Sequence, residues 1–526
     1  MALLKVENLT VTQRGVPLLE DISFAIGKGQ RLGVIGEAGS GKSLLALAIL
    51  GLLPPGVAMT GSMAFDDKPM PSTEAERAQL RGKRIGAVLE GAADALAPLR
   101  TVGAQIGEAL RRAAVTGDVV AQTTELLRDV ALDPKMAARY PRDLTAPERQ
   151  RAMFAIAIAA KPELLIVDEP AAGLDLIGQR RILDLINRLC TEHNLSLLVI
   201  SHDLKTVAML ATKVVVLRGG KVVEAGEKPE VFGHPRHEFT RAMLSAGRHR
   251  ARTLMRTPIG GTLLELRNVT RRFRTPDRSL FEPQAPVTAL NDVSFALRAG
   301  ESLAVIGPAG SGKSTLTRII VGLERATSGE LEFDQSILYR GTDMPRAMRQ
   351  EVGYVFRDPA ATFNPRYTVG ESIAEPLQLE LQKSIDELGG RIVEVVTAVG
   401  LHPDMLGRLP REFTIGQLQR LAIARALVTR PKLMVLDDPV AALDIAARGE
   451  ILVLLNRLRA DFGLSFLVTC HDLDVVRIIA DRVIVLDKGR VVETTTPAQL
   501  LEKPQHATTQ QLVAAQLPDV GIVPVF

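Results

Sequence analysis

The feature that most constrains how this chain folds is a glycine-rich loop that occurs twice. The pattern G-x-x-x-x-G-K-[ST] is matched by Gly36, Glu37, Ala38, Gly39, Ser40, Gly41, Lys42 and Ser43, and again by Gly307, Pro308, Ala309, Gly310, Ser311, Gly312, Lys313 and Ser314. Each copy lies between two apolar runs, which predicts a strand before the loop and a helix after it. Glycines let backbone N–H groups curve around an anion, and the following helix presents its positive N-terminal end. Both loops are therefore predicted to bind phosphate.

The side chains that end each loop have predicted roles of their own. Lys42 and Lys313 are expected to reach β- and γ-phosphates, and the hydroxyls of Ser43 and Ser314 to ligate Mg²⁺. Thr315, the next residue in the second copy, is counted among the phosphate-binding residues. These roles require both a phosphate chain and a magnesium ion at each loop.

The rest of the sequence repeats together with the loop, which indicates two homologous domains. Lys42 and Lys313 lie 271 positions apart. Two later segments recur 269 positions further along the chain, 164–170 as 433–439 and 201–204 as 470–473. A nearly constant offset over separate motifs is not expected from chance matches.

Each copy has the same predicted order of secondary structure. A β-rich stretch (3–24 and 263–295) precedes the loop, and a mostly helical stretch follows it (about 91–160 and 358–427). Short continuous apolar runs then predict strands that are covered on both faces. We predict an α/β fold. The predicted domains are 1–250 and 262–514, joined by a linker at 251–261 and followed by a tail at 515–526, and the second domain contains an inserted loop at 274–286.

Composition and charge disfavour several classes of protein. The chain has 526 residues and a net charge of only +4, with no long basic block, so we expect no nucleic-acid partner. Two widely separated cysteines, Cys190 and Cys470, argue against a disulfide framework and fit a reducing compartment. No signal-peptide pattern is visible, and the longest apolar runs are about half of the ~20 residues that span a bilayer. Any work at a membrane is expected to go through partners.

Acidic residues and a histidine recur after the predicted buried strands of each copy. Asp168 and Asp437 end such strands about 125 residues after the loop lysines, in the position that helps to hold Mg²⁺. The carboxylate that follows each can polarise an attacking water, and a histidine after the next strand can contact a γ-phosphate. A lone histidine is more often a surface or capping residue, but its recurrence before an aspartate favours the functional interpretation. The predicted catalytic residues are Glu169, His202, Asp438 and His471.

With these motifs in this order, nearly the whole chain resembles two fused ATPases of the ABC-transporter family. Residues 355–359 and 363–371 resemble the glutamine-loop region of the oligopeptide, dipeptide and nickel importers, and 140–144 resemble the approach to their signature helix. Residues 234–242 resemble the C-terminal element of that subfamily. The cysteine cluster that many members carry after this element is absent, so no iron–sulfur cluster is expected.

The resemblance implies both a fold and a set of partners. The fold would be two tandem P-loop NTPase domains, each with a β-rich N-terminal subdomain, a RecA-like parallel-sheet core and a helical subdomain. The activity would be hydrolysis of ATP with Mg²⁺. The partners would be two transmembrane permease subunits and, indirectly, an extracytoplasmic substrate-binding protein. The location would be peripheral, on the cytoplasmic face of the bacterial inner membrane.

The sequence departs from the family in its signature motif. Leu-Ser-Gly-Gly-Gln becomes Leu-Thr-Ala-Pro-Glu at 144–148 and Phe-Thr-Ile-Gly-Gln at 413–417. The residues expected to keep contacts with phosphate are Thr145, Thr414, Gly416 and Gln417.

Two further departures lie near the expected nucleotide. The glutamine that contacts Mg²⁺ is replaced by Glu90, which could still ligate the ion, and by Arg357, which could pair with phosphate instead. The aromatic residue that stacks on adenine is expected at Phe273 in the second copy, although a core or loop role fits Phe273 nearly as well. Gln13 occupies that position in the first copy.

In this family the signature of one domain closes over the ATP held by the other, which predicts two unequal sites. The first loop, with Glu169, would face Gly416 and Gln417. The second loop, with Asp438, would face Pro147, which has no N–H to donate. Aspartate is one methylene shorter than glutamate, and a shift of ~1 Å can cost about 100-fold in rate. We expect hydrolysis mainly at the first site and binding mainly at the second.

Two other functions stay open at this point. A degenerate family member could bind ATP as a regulated clamp with little turnover. A non-transport ATPase, such as a ribosome-bound translation factor, would carry a long charged helical linker, and the short linker here disfavours it. The leading prediction is the ATP-hydrolysing subunit of a peptide-type importer, whose substrate the sequence does not specify.

Overall fold

A computed structural model describes residues 2–246, 258–273, 286–381 and 385–518. It contains two compact units, one formed almost wholly from residues up to 248 and the other from residues 249 onward. Most of the predicted linker at 251–261, nearly all of the predicted inserted loop at 274–286 and most of the tail at 515–526 lie outside the described residues.

The elements of the first unit follow the predicted order. Its strands are β1 (Ala2–Gln13), β2 (Val16–Gly27), β3 (Arg31–Gly36), β4 (Val57–Phe65), β5 (Lys68–Pro69), β6 (Ile85–Val88), β7 (Leu164–Asp168), β8 (Ser196–Ile200), β9 (Lys213–Arg218) and β10 (Lys221–Glu227). Its helices are α1 (Lys42–Leu50), α2 (Glu74–Leu80), α3 (Val102–Arg112), α4 (Val119–Asp129), α5 (Ala146–Ile158), α6 (Leu176–Glu192), α7 (Leu204–Leu210), α8 (Lys228–Gly233) and α9 (Glu238–Ala246).

The second unit repeats this order. Its strands are β11 (Thr262–Phe273), β12 (Val287–Arg298), β13 (Ser302–Ile306), β14 (Ser328–Phe333), β15 (Ile337–Tyr339), β16 (Val352–Val355), β17 (Leu433–Asp437), β18 (Ser465–Thr469), β19 (Arg482–Asp487) and β20 (Arg490–Thr495). Its helices are α10 (Lys313–Ile320), α11 (Arg346–Gln350), α12 (Val369–Leu381), α13 (Ile385–Ala398), α14 (Ile415–Leu427), α15 (Ile445–Phe462), α16 (Leu473–Ile479), α17 (Pro497–Glu502) and α18 (Ala507–Ala514).

Each unit is built around a mostly parallel six-stranded sheet. The strand order is β10-β9-β3-β8-β7-β6 in the first unit and β16-β17-β18-β13-β19-β20 in the second. Only the last hairpin strand, β10 or β20, runs antiparallel to its neighbour in these sheets as described. Every residue of β7, β8, β13 and β18 is buried, as their continuous apolar runs predict for strands covered on both faces.

A smaller antiparallel sheet and a group of helices complete each unit. The antiparallel sheets have the orders β2-β1-β4-β5 and β12-β11-β14-β15. In the helical part of the first unit, α3 buries Val102, Ile106 and Leu110, which recur every four residues and form one apolar stripe. The predicted α/β fold with a β-rich subdomain, a parallel-sheet core and a helical subdomain is confirmed for both units. None of the described helices combines the length and the hydropathy that crossing a bilayer requires.

This topology brings the predicted motifs together within each unit. In the first unit, parallel strands β3, β7 and β8 end at the same edge of the sheet, because β8 pairs with both of the others. The phosphate-binding loop follows β3, the acidic pair comes at the end of β7, and His202 follows β8. Ligands of open α/β sheets bind at this carboxyl edge.

Candidate functional site

The two glycine-rich loops adopt a backbone that only glycine fits at the start of the helix. Gly41 and Gly312 precede α1 and α10 with φ angles of 95° and 103°, a left-handed conformation. A Cβ atom on Gly41 would lie 2.5 Å from Leu19 Cδ2, and one on Gly312 would lie 2.4 Å from the Ala289 carbonyl oxygen. Both loops therefore keep the geometry that lets backbone N–H groups approach a phosphate.

The lysine of each loop is buried inside that loop. Lys42 Nζ donates to the carbonyl oxygens of Gly36 and Glu37, both at 2.8 Å. Lys313 Nζ donates to the carbonyl oxygens of Gly307 and Pro308 at 2.7 and 2.9 Å. Burial lowers the pKa of Lys313 to about 8, because the charged form is desolvated. A phosphate oxygen beside this ammonium group would favour its charged form.

In the first unit, Glu169 is held by three hydrogen bonds. Its Oε1 accepts the backbone N–H of His202 at 2.8 Å and lies 2.7 Å from His202 Nδ1, while Oε2 accepts the Ser201 hydroxyl at 2.8 Å. Burial alone would raise the pKa of Glu169, but the bonds from His202 and Ser201 outweigh it, and the pKa is lowered. Because an ionised carboxylate only accepts, Nδ1 of the imidazole carries the proton. The predicted pair of Glu169 and His202 is thus brought into direct contact.

The first unit also offers a position that fits a magnesium ion. Asp168 is only 3% exposed, and it is hydrogen-bonded by Ser43. Among the described residues, its Oδ1 atom has no hydrogen-bond partner. Burial raises the pKa of Asp168 to about 6, and the nearby charges of Glu169 and Glu90 add to this effect. A buried, unsatisfied carboxylate oxygen beside a hydroxyl suits a hard divalent cation, so the predicted ligands Ser43, Asp168 and Glu90 fit Mg²⁺.

The equivalent aspartate of the second unit has different neighbours. Asp437 Oδ1 accepts the Thr469 hydroxyl at 2.5 Å, and Oδ2 accepts the Tyr354 hydroxyl at 3.2 Å. Both carboxylate oxygens are therefore already bonded to donors from the protein. At Asp168, by contrast, one carboxylate oxygen accepts no hydrogen bond among the described residues.

The second acidic residue of this unit also has a different partner. Asp438 Oδ2 lies 3.7 Å from Arg357 Nε and 4.0 Å from His471 Nε2, which is beyond hydrogen-bonding distance. Burial raises the pKa of Asp438 to about 6, and the Arg357 charge opposes this rise. Burial also lowers the pKa of His471 to about 4, and its Nδ1 atom has no partner among the described residues. The predicted pair of Asp438 and His471 is close in space but is not joined as Glu169 and His202 are.

The altered signatures begin helices in both units. The backbone N–H and the hydroxyl of Thr145 both donate to Glu148 Oε2, at 2.7 and 2.8 Å, at the start of α5. Thr414 accepts the N–H of Gln417 at 3.3 Å and donates its own N–H to the Gln417 amide oxygen at 3.0 Å. Pro147 lies in the first turn of α5, where a missing N–H is tolerated. Roles of Thr145, Thr414, Gly416 and Gln417 toward phosphate stay predictions.

The predicted adenine-stacking residue lies at the end of a strand. Phe273 is the last residue of β11, and the guanidinium carbon of Arg271 lies 4.5 Å from the centre of its ring. One face of the ring is therefore covered by a cation. A role in stacking on adenine stays a prediction.

Sequence reasoning missed three of the contacts that distinguish the sites. These are the hydrogen bonds from Ser201 to Glu169 and from Tyr354 and Thr469 to Asp437. Tyr354 and Thr469 lie outside the repeated motifs, and Ser201 begins the repeated segment 201–204 without having been given a role of its own. Aligning the two copies position by position would have pointed to these residues, because each has a hydroxyl where the other copy has a side chain without one.

The two glycine-rich loops and the acidic residues at the ends of β7 and β17 define a class of protein. Comparison with known families identifies that class. Residues 19–172 and 290–441 match the family model described as ABC transporter. The chain belongs to the ABC transporter family, and the prediction of two ABC ATPase domains in one chain is confirmed. Proteins of this ATP-binding type are ATPases, as predicted for this chain.

Similar proteins include a named importer subunit. The glutathione import ATP-binding protein GsiA of Escherichia coli (strain K12) is 34% identical over 554 residues, covering 97% of this chain and 89% of that protein. The protein of the same name from Shigella sonnei (strain Ss046) gives the same values. Among solved structures, the dimeric post-hydrolysis state of the ATP-binding cassette MJ0796 bound to ADP and Pi is 29% identical, with a TM-score of 0.40. It covers 45% of this chain and 99% of the other.

Proposed function

We propose that this chain is the ATP-hydrolysing subunit of an importer for peptide-like substrates, and that its first nucleotide site performs most of the hydrolysis. The importer assignment is supported by the similarity to GsiA, whose name describes glutathione import, over 97% of this chain. The observation that supports the unequal sites is the hydrogen-bonded group of Glu169, His202 and Ser201, which has no counterpart around Asp438 among the residues that the structure describes.

The residues of the first site suit an in-line attack of water on a γ-phosphate. Lys42 binds the phosphate chain, and Mg²⁺, when bound by Ser43 and Asp168, neutralises charge on the phosphates. Glu169 is ionised and fixed, so it can orient the attacking water and accept its proton. His202 holds the Glu169 carboxylate in place through Nδ1. With both ring nitrogens protonated, its Nε2–H would donate to a phosphate oxygen.

The partners follow from the importer assignment. We propose two transmembrane permease subunits, an extracytoplasmic binding protein that selects the substrate, and a peripheral position on the cytoplasmic face of the bacterial inner membrane. The helical parts of both units and the loops at Glu90 and Arg357 would carry the coupling to the permeases. ATP binding and hydrolysis would then drive the transport cycle.

Reconstitution with membrane partners tests the proposal. The full chain should be assembled in liposomes with the proposed permease pair and its substrate-loaded binding protein, and release of inorganic phosphate should be measured. We expect hydrolysis to rise severalfold over the isolated chain. ATP binding without turnover in the full assembly would contradict the proposal and favour a regulatory clamp.

A further inference from the structure

We infer that the second nucleotide site binds ATP without a divalent metal ion, and that the Arg357 guanidinium supplies the positive charge that Mg²⁺ supplies at the first site. The inference rests on the proposed binding of ATP at both loops. It departs from the expectation that Ser314 and Asp437 ligate Mg²⁺ as Ser43 and Asp168 do.

The first observation is that Asp437 has no carboxylate oxygen left without a donor. Thr469 and Tyr354 donate one hydroxyl to each oxygen. The Thr469 hydroxyl also accepts the backbone N–H of Asp438, at 3.1 Å, so its proton is directed at Asp437. A metal ion at this carboxylate would have to share each oxygen with a hydrogen bond that the folded protein already makes. At Asp168 a buried oxygen has no partner among the described residues.

The second observation is that both hydroxyls belong to the second copy alone. In each sheet the strand pairing fixes the equivalent positions: Ile200 lies opposite Asp168, and Thr469 lies opposite Asp437. On the other side, Ala87 of β6 has the place that Tyr354 has in β16. Alanine and isoleucine have no hydroxyl to donate. Both carboxylate oxygens therefore accept a hydrogen bond in the second unit, whereas one oxygen of Asp168 accepts none among the described residues.

The third observation is the charge at the glutamine-loop position. Where the first unit has Glu90, the second has Arg357, whose Nε lies 3.7 Å from Asp438 Oδ2. A guanidinium is a permanent cation with five N–H donors, and it matches phosphate oxygens in geometry. It would repel a divalent cation beside it and would itself neutralise a bound phosphate chain. The Arg357 side chain thus provides the second site with a cation of its own.

The metal dependence of ATP binding tests this inference on the full chain. Equilibrium binding of radiolabelled ATP should be measured with Mg²⁺ and with EDTA. We expect two ATP molecules per chain in Mg²⁺ and one in EDTA. Loss of both molecules in EDTA would overturn the inference, and so would retention of both.

Loop variants assign the retained nucleotide to a site. With Lys42→Ala, the remaining second site should change its affinity for ATP less than about threefold when Mg²⁺ is removed. With Lys313→Ala, the affinity of the remaining first site for ATP should fall about tenfold or more when Mg²⁺ is removed. This is the loss expected when a charged contact to phosphate is removed. Equal losses in the two variants would overturn the inference.

Substitutions at the second site test the residues themselves. In the Lys42→Ala background, Arg357→Gln should weaken binding in EDTA about tenfold or more, whereas Arg366→Gln, at an exposed arginine of the same unit, should not. Tyr354→Phe combined with Thr469→Val frees Asp437, so Mg²⁺ should then strengthen binding. Tyr339→Phe, which removes a buried hydroxyl that bonds the Ile320 carbonyl, is the matched control.

The two proposals fail in different ways. If permeases do not stimulate hydrolysis but one ATP is kept in EDTA, only the importer assignment fails. If hydrolysis is stimulated and no ATP is kept in EDTA, only the metal-free site is overturned.

Discussion

At the scale of single residues, the two sites differ in how their acidic groups are held. Glu169 is fixed by His202 and Ser201, and its pKa is lowered. Asp438 is one methylene shorter, faces Arg357 and is not within hydrogen-bonding distance of its histidine. The recurrence of an acidic residue and a histidine in both copies of the sequence therefore conceals two different local networks.

The two histidines should consequently differ in their effect on hydrolysis. His202→Ala removes the Nδ1 hydrogen bond to Glu169 and the proposed contact with phosphate, and we expect turnover of ATP to fall about 100-fold or more. His471→Ala removes a side chain that forms no hydrogen bond with Asp438, and we expect turnover to change less than about threefold. Steady-state release of phosphate by the full chain measures both, and a similar loss in both variants would argue against this assignment.

The two cysteines should be unreactive in the folded chain. Cys190 and Cys470 are 3% and 1% exposed, and burial raises the pKa of Cys190 to about 11 and that of Cys470 well above its usual value. The reactive thiolate is therefore scarce at pH values well below these pKa values, and it becomes more abundant only as the pH approaches them. Iodoacetamide near pH 8 should label neither cysteine in the native chain and both in guanidinium, as read by intact mass. Rapid native labelling would contradict this.

At the scale of elements, apolar runs predicted the buried strands well, because a strand covered on both faces has no polar side to interrupt it.

Charge predicted the exposure of side chains less well. Arg459 on α15 would be expected at the surface, yet its side chain is 2% exposed. It donates through Nε and Nη2 to the Gly300 carbonyl at 3.1 and 2.6 Å and also pairs with Asp481. A charge that is buried through contacts with residues distant in sequence cannot be predicted from a local pattern. The first copy has Cys190 at this position.

Loss of this buried arginine should destabilise the second unit. Arg459→Met leaves the buried Gly300 carbonyl without its side-chain donor and removes the cation beside Asp481, which keeps its hydrogen bond from the Ser302 N–H. We expect a cost of about 1–3 kcal/mol, the cost of leaving a buried acceptor without its partner. Hydrogen exchange of the β13 amides measures the free energy of opening. Arg477→Ala, at a side chain 43% exposed, should change it by less than about 0.5 kcal/mol. No difference between the two variants would contradict this account.

At the scale of the whole molecule, the repeat and its motifs predicted two ABC ATPase units, which is confirmed, and each glycine-rich loop lies between a strand and a helix as expected. The difference in metal preference that we infer between the two sites was not predictable from those motifs. It depends on Tyr354 and Thr469, which act only because strands β16 and β18 place them on either side of Asp437. Residues outside a motif gain a role at a site only through the pairing of strands that are distant in sequence.

Trapping of nucleotide should show one hydrolytic site per chain. Orthovanadate with Mg²⁺ and ATP holds ADP where hydrolysis has occurred, because it resembles the transferred phosphoryl group. We expect about one trapped ADP per chain, lost in Lys42→Ala and kept in Lys313→Ala. Two trapped molecules per chain would show that both sites hydrolyse ATP.

The most direct test of the unequal sites compares the two acidic residues themselves. Turnover of ATP should be measured for Glu169→Gln and Asp438→Asn under identical conditions, with the unaltered chain as reference. We predict that Glu169→Gln lowers turnover about 100-fold or more and that Asp438→Asn lowers it less than about threefold. Equal losses in the two variants, or a larger loss in Asp438→Asn, would contradict the account.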